Sequence, residues 1–210
     1  MKKLLVFAVL ALVLSFSTFS YAGTDDKGVY IGIGGSVALE DFDEDFDINY
    51  AATDETLDRG TSWGVNAKAG YYMSPSFSVE LDYCNLFEYE SSQDFTVAGT
   101  PVNAEVDVKI TTIMPQIKGC VGTEDTSLFG VVGVGYMNVD VDEEITTSSS
   151  TISRSYDESD ICVKLGVGVD YFVIKYLSIG LEADYVYGLG DLDDVEYWNF
   201  ILGVCYYFGM

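Results

Sequence analysis

Eight charged residues sit where spacing could bring them onto one surface: Lys68, Glu80, Asp82, Lys109, Lys164, Asp170, Glu182 and Asp184. Each lies in a stretch where apolar residues alternate with small or polar ones, on the small, polar side. The turn at Met73-Ser74-Pro75 sets Lys68 across from Glu80 or Asp82. A second turn, near Lys175, sets Gly168 and Gly166 opposite Glu182 and Asp184, leaving room for those carboxylates. Carboxylate pairs can do acid–base work, but carboxylates matched to lysines form a buried network in which each charge has a partner. The expected role is a polar plug; a carboxylate-lined path for cations is the alternative. The chain has no histidine, which removes Ser-His-Asp and Cys-His catalysis and His-ligated metal sites. No residue nominates a reaction, so the expectation is no enzyme and no cofactor.

Two other groups could do chemistry. Asp41, Asp43, Asp45 and Asp47 alternate with other residues as at the start of a calcium loop. The glycine needed at the sixth place and the glutamate at the twelfth are absent, so only loose binding of calcium or magnesium by these acids is left open. The four cysteines, Cys84, Cys120, Cys162 and Cys205, fall at different heights or on opposite sides of the arrangement described next. A disulfide needs Cα atoms within about 7 Å, so the expectation is four separate inward thiols that fill space.

The elements that position these groups are strands, because the alternation has a period of two. Eight stretches qualify, at about 28–39, 61–72, 76–89, 104–121, 127–139, 160–173, 176–187 and 197–208. Long acidic or polar connections alternate with very short ones. The connections at about 90–103 and 140–159 read as polar loops, the second expected to be mobile. In the fourth strand Val106, Val108 and Ile110 are even-numbered, whereas Ile113, Ile117 and Val121 are odd-numbered. A bulge at Thr111-Thr112 or Pro115 is expected to flip the parity there.

Residues 1–22 read as a signal peptide. Met1-Lys2-Lys3 is basic, Leu4–Leu14 is apolar, and Ser20-Tyr21-Ala22 offers small residues for cleavage after Ala22. Residues 23–210 then form one domain. Cleavage would remove Lys2 and Lys3 from a chain whose net charge is already −24, with 34 acids against 10 basic residues. No phosphate-neutralising patch exists in such a chain, which excludes nucleic acid as a partner.

Periodicity shows two faces without saying which is buried. The fifth and eighth strands carry no charge on either face, and a strand facing water would need some. The mixed faces are rich in Gly, Ala and Ser, which suit a narrow interior. The apolar faces place aromatics near strand ends: Trp63, Tyr136, Tyr185, Tyr187 and Trp198 by the long connections, and Tyr71, Phe77, Tyr171 and Phe208 by the short turns. Two such bands are interfacial girdles. The fold class expected is therefore all-β: an eight-stranded antiparallel up-and-down transmembrane β-barrel, lipid outside and side chains within. An even strand number puts both termini on one side, the periplasm, with the long acidic loops outside the cell.

With its signal peptide, its eight-strand rhythm, Gly-Val-Tyr-Ile-Gly-Ile-Gly-Gly (28–35), Phe-Gly-Val-Val-Gly-Val-Gly-Tyr (129–136) and an aromatic last strand, the chain resembles the small outer-membrane β-barrels. These include outer membrane proteins A and X, the Opa barrels and the attachment-invasion barrels. The resemblance implies assembly by the outer-membrane insertion machinery, which would read Trp198, Phe200, Leu202, Val204, Tyr206 and Phe208. It also implies surroundings of outer-membrane lipid and lipopolysaccharide, and roles in adhesion or envelope integrity. A monomer with an unidentified extracellular ligand is the expectation, and a small cation-preferring pore is the alternative function.

Overall fold

The computed structural model describes residues 28–40, 61–97, 100–123, 125–147, 151–193 and 195–208. Its strands are β1 (Val29–Glu40), β2 (Thr61–Ser74), β3 (Phe77–Val97), β4 (Thr100–Gly122), β5 (Thr126–Thr147), β6 (Thr151–Ile174), β7 (Leu177–Gly188) and β8 (Glu196–Tyr207). Each pairs antiparallel with its neighbours, and β1 closes on β8 through Tyr30↔Tyr207 to Glu40↔Tyr197, so the sheet is a closed barrel. Closure leaves no backbone edge within the barrel wall, the condition for crossing lipid with strands. No helix among the described residues is long and apolar enough to span a membrane.

The alternation read from sequence sorts the side chains as expected. Ile33, Trp63, Leu81, Val167, Leu181 and Leu202 point outward and are 52–73% exposed, in a continuous apolar belt. At its rims lie the exposed aromatics Trp63, Tyr136 and Trp198 on one side and Tyr71, Tyr171 and Phe208 on the other. The rim rings also touch each other, with Tyr185 and Trp198 centroids 5.2 Å apart and Tyr206 and Phe208 4.9 Å apart.

Three sequence expectations are corrected. The stretches 90–103 and 140–159 are mostly paired strand. The β3–β4 ladder runs to Val97↔Thr100 and the β5–β6 ladder to Thr146↔Thr151. The second stretch is polar enough to resemble a loop, yet Val139, Val141 and Ile145 keep one parity on β5 and Ile152 and Tyr156 keep one parity on β6, and β-branched and aromatic residues favour strand. Second, β4 has no bulge: its pairing with β5 keeps one register from Val102↔Thr147 to Gly122↔Ser127. The irregularity lies on β3 between Leu86 and Tyr89, where the Phe87 carbonyl accepts a 2.6 Å hydrogen bond from the Ser62 hydroxyl. Third, the inward face of β4 is therefore even-numbered from Val108 to Cys120. Ile110, Thr112, Met114, Gln116, Lys118 and Cys120 are buried inside, while Ile113 and Ile117 face out.

Short turns close the other end at Pro75–Ser76 and Lys175–Tyr176. Between β7 and β8 a 3-10 turn, Gly190–Leu192, folds back over the barrel mouth. The Asp160 carboxylate accepts from the Asp191 amide at 3.0 Å and the Ile161 amide at 2.6 Å, fixing this turn to β6. Gly190 has a φ of 67°, the left-handed region open to glycine, and a side chain there would meet Asp160.

Candidate functional site: a layered lumen and a projecting sheet

The lumen is filled in three layers. At the long-strand end, Leu192 and Val195 of the β7–β8 connection pack with Ala38, Leu86, Ile110, Val139, Val141 and Tyr197 as an apolar stopper. At the short-turn end, Tyr30, Tyr72, Cys120, Phe129, Phe172, Cys205 and Tyr207 form a second stopper, mostly aromatic. The Tyr30 ring lies 5.1 Å from Tyr72 and 5.3 Å from Tyr207, and Tyr207 is 5.3 Å from Phe172. Interiors of this kind pack at crystal-like density, because a small barrel is only wide enough for its own side chains.

The charges lie between the stoppers in two groups. Nearer the short turns, Lys118 Nζ is 2.9 Å from Asp170 Oδ2 and 3.7 Å from Glu80 Oε1. Glu80 also accepts from the Tyr30 hydroxyl and, at 2.5 Å, from Gln116 Nε2. The Lys118 ammonium sits 3.8 Å from the centre of the Phe129 ring, a cation–π contact strengthened by the absence of water. Nearer the other end, Lys164 Nζ is 2.7 Å from Asp82, 3.3 Å from Asp184 and 3.5 Å from Glu182. Lys68 reaches the other oxygen of Glu182 at 2.5 Å, and Asn66 donates to Asp82 at 2.7 Å. A cavity of about 20 Å³ among Asn66, Lys68, Asp170 and Glu182 has room for about one water molecule.

Seven of the eight charges read from sequence are thus in the lumen. Lys68, Glu80, Asp82, Lys164, Asp170, Glu182 and Asp184 meet there. Lys109 does not: it faces outward and is exposed, opposite Asp140. The physical reason is the uninterrupted β4 register, which turns odd-numbered residues out. The same register reveals the lysine that sequence reading missed, Lys118. An even parity carried through Thr112, Met114 and Gln116 would have found it.

Gly166 and Gly168 stand opposite Asp184 and Glu182 as expected, and a side chain at Gly166 would meet the Asp184 carboxylate. Lys68 is opposite Asp82 in the ladder, but its ammonium crosses the lumen to Glu182. The four cysteines are separate, buried free thiols. Trp198, Phe200, Leu202, Val204 and Tyr206 share the outer face of β8, and Phe208, just past its end, is exposed as well. Asp41, Asp43, Asp45, Asp47 and the cleavage position Ala22 lie outside the described residues.

Above the aromatic rim a different surface begins. Pairing of β2 with β3 ends at Gly64↔Leu86, and pairing of β6 with β7 ends at Cys162↔Gly188. Beyond those points β3–β6 continue alone as a four-stranded sheet, with β5 residues 140–147 adding roughly 25 Å at the usual rise per residue. Its outer side is acidic. Glu105 is opposite Glu144, Asp107 opposite Asp142, and Asp140 opposite both Lys109 and Asp157. Like charges directly across a ladder destabilise it.

An apolar outer belt between two aromatic girdles, around a lumen packed with paired charges, defines an integral membrane β-barrel. The chain belongs to the family described as "Outer membrane protein beta-barrel domain", which matches residues 8–208. It is 26% identical over 192 residues, 89% of this chain and 84% of the relative, to a Rickettsia canadensis (strain McKiel) protein named "Putative adhesin". Its fold is similar to that of Ail, the attachment invasion locus protein of Yersinia pestis, crystallised with the heparin analogue sucrose octasulfate. That match has a TM-score of 0.55 and 19% identity, covering 87% of this chain and 99% of Ail. Neisserial surface protein A has a TM-score of 0.53 and 14% identity, covering 85% of this chain and 96% of that one.

Proposed function

We propose that the protein is a monomeric surface-interaction barrel, adhesin-like and without catalysis, whose lumen is a structural plug. The observation that carries this reading is the combination of a lumen stoppered by apolar layers at both ends with a sheet that projects past the membrane rim. A barrel whose interior is filled has its outer surface left for function. The names of the relatives, an adhesin, an attachment invasion locus protein and a surface protein, point the same way, and none is an enzyme's name. The signal peptide is removed after Ala22, the termini and short turns lie in the periplasm, and the projecting sheet lies outside the cell. The insertion machinery reads the outer face of β8, and lipopolysaccharide surrounds the upper girdle. The anionic sugar bound to Ail does not carry over, because the sheet here presents carboxylates that would repel it.

The refolded protein in a planar bilayer is expected to give no stable current; steady cation-selective conductance would replace the plug with the pore. Bacteria displaying the protein are expected to bind host cells, and shortening the β5–β6 hairpin to end at Asp140 and Asp157 is expected to abolish that binding. Undiminished binding would overturn the surface reading.

A further inference from the structure

The projecting sheet has an open edge along β6, and the backbone there is ready to pair. Alternate residues of an antiparallel strand turn N–H and C=O to opposite edges. The Ile161 carbonyl points to the β7 side, where it accepts from the Leu189 amide at 2.9 Å. The register of β6 is unbroken from Ile161 to Thr151, so Ser159, Asp157, Ser155 and Ser153 turn their groups to the same side. Among the described residues no strand pairs with them there. Residues 151–159 are all exposed. This edge has no proline, no lysine and no bulge, and of the usual guards against pairing it keeps only charges, at Arg154, Asp157 and Glu158.

Its two faces differ chemically. On one side Ile152 and Tyr156, 49% and 41% exposed, flank Arg154, with Glu158 next on the same face. On the other, the small side chains of Ser153 and Ser155 lie beside Glu144 and Asp142 of β5, followed by Asp157 beside Asp140. A long basic side chain on an added strand would pass over the serines and reach those carboxylates. It would also relieve the like-charge pairs Glu105–Glu144 and Asp107–Asp142 behind them.

We propose that the β6 edge, Thr151–Ser159, captures an extended segment of a partner protein by strand addition. The captured segment alternates lysine or arginine on the acidic face with apolar residues against Ile152 and Tyr156. This inference rests on the surface-interaction reading and deepens it. Main-chain hydrogen bonds supply the affinity in such a mode and the alternating side chains supply the selection. A second copy of this chain is disfavoured as the occupant by the net charge of −24 that each copy carries.

The test uses the full protein in lipid nanodiscs and synthetic peptides about six residues long, an ordinary strand length. One peptide alternates Lys with Val, one alternates Glu with Val, and one has the first composition in two blocks. The Lys–Val alternating peptide is expected to bind, more weakly as salt rises. It should also protect the amides of Ser153, Ser155, Asp157 and Ser159 from hydrogen exchange. Ser155→Pro, which removes one edge N–H and its pairing, is expected to weaken it about tenfold. The same peptide N-methylated at alternate amides should fail on the unaltered protein. Equal binding of the block peptide, or the absence of edge protection, would overturn the proposal, as would protection that grows with protein concentration alone. If Ser155→Pro keeps full host-cell binding while the shortened hairpin loses it, strand capture is wrong and the surface reading stands.

Discussion

The lumen and the projecting sheet use the same kinds of charged side chain and treat them in opposite ways. Inside, Lys118 and Lys164 are 1% and 2% exposed and each sits within ion-pair distance of two or three carboxylates. Outside, Glu105, Asp107, Asp142 and Glu144 face one another across a ladder with no lysine between them. Burial makes an unpaired charge cost several kcal/mol, so the lumen tolerates none without a partner. Solvent screens the outer acids, so the cost of opposing them is small and a partner can exploit it. The difference separates charges that hold the barrel shut from charges presented for contact.

Breaking the inner arrangement should have the largest effect. Lys164→Met leaves Asp82, Glu182 and Asp184 facing one another in a dry interior, and the loss expected is about 3–5 kcal/mol. Urea unfolding of the barrel refolded in lipid vesicles measures it. Lys109→Met, at the exposed lysine, should change stability by less than about 0.5 kcal/mol in the same assay. Equal effects at both positions would erase the distinction between the two regions.

Lys68→Met should be less severe, because Glu182 keeps Lys164 at 3.5 Å. Adding Glu182→Gln removes the charge left short of a partner, so the double variant should recover part of the loss. A coupling of about 0.5–3 kcal/mol is expected from the cycle, and simple additivity would show that the cross-lumen pair does not act as a pair. Gly166→Ala tests the space instead of the charge. Its methyl group would meet the Asp184 carboxylate and approach Val131 Cγ2 to 2.7 Å, for an expected cost of about 1–3 kcal/mol.

Which of these residues could be seen in the sequence follows from what period-two alternation encodes. It assigns a face, so seven of the eight luminal charges, the outer belt and the inward cysteines were legible. Short turns fix register between adjacent strands, so Gly166 and Gly168 opposite Asp184 and Glu182 were legible too. Alternation fails where both faces are apolar. On β4, Val108 and Ile110 inside and Ile113 and Ile117 outside look like a parity change, and that exchanged Lys109 for Lys118. The real irregularity, at Phe87, lies in a stretch whose alternation gives no sign of it. Pairing across the lumen, such as Lys68 with Glu182, depends on barrel closure and side-chain reach between strands that are not neighbours. The projecting sheet resembles loop in the sequence because its acids and serines outweigh its Val, Ile and Thr, although the latter keep strand spacing.

The smallest effect sharpens the comparison from the outer side. Asp142 is exposed and stands opposite Asp107 on one strand and Ser155 on the other. Asp142→Asn keeps the shape, removes one of two facing charges, and leaves the ladder hydrogen bonds in place. It should stabilise the hairpin by roughly 0.2–1 kcal/mol, read as slower amide exchange in residues 140–158. The gain should shrink as salt rises, because screening already weakens the repulsion it relieves. The same substitution should weaken the Lys–Val alternating peptide at the β6 edge, since it removes a carboxylate that the peptide's lysines would reach. A variant that makes the sheet more stable and a poorer binder is the outcome expected if these acids are kept for contact. A variant that lowers stability would mean that Asp142 holds the hairpin together, as the luminal carboxylates hold the barrel.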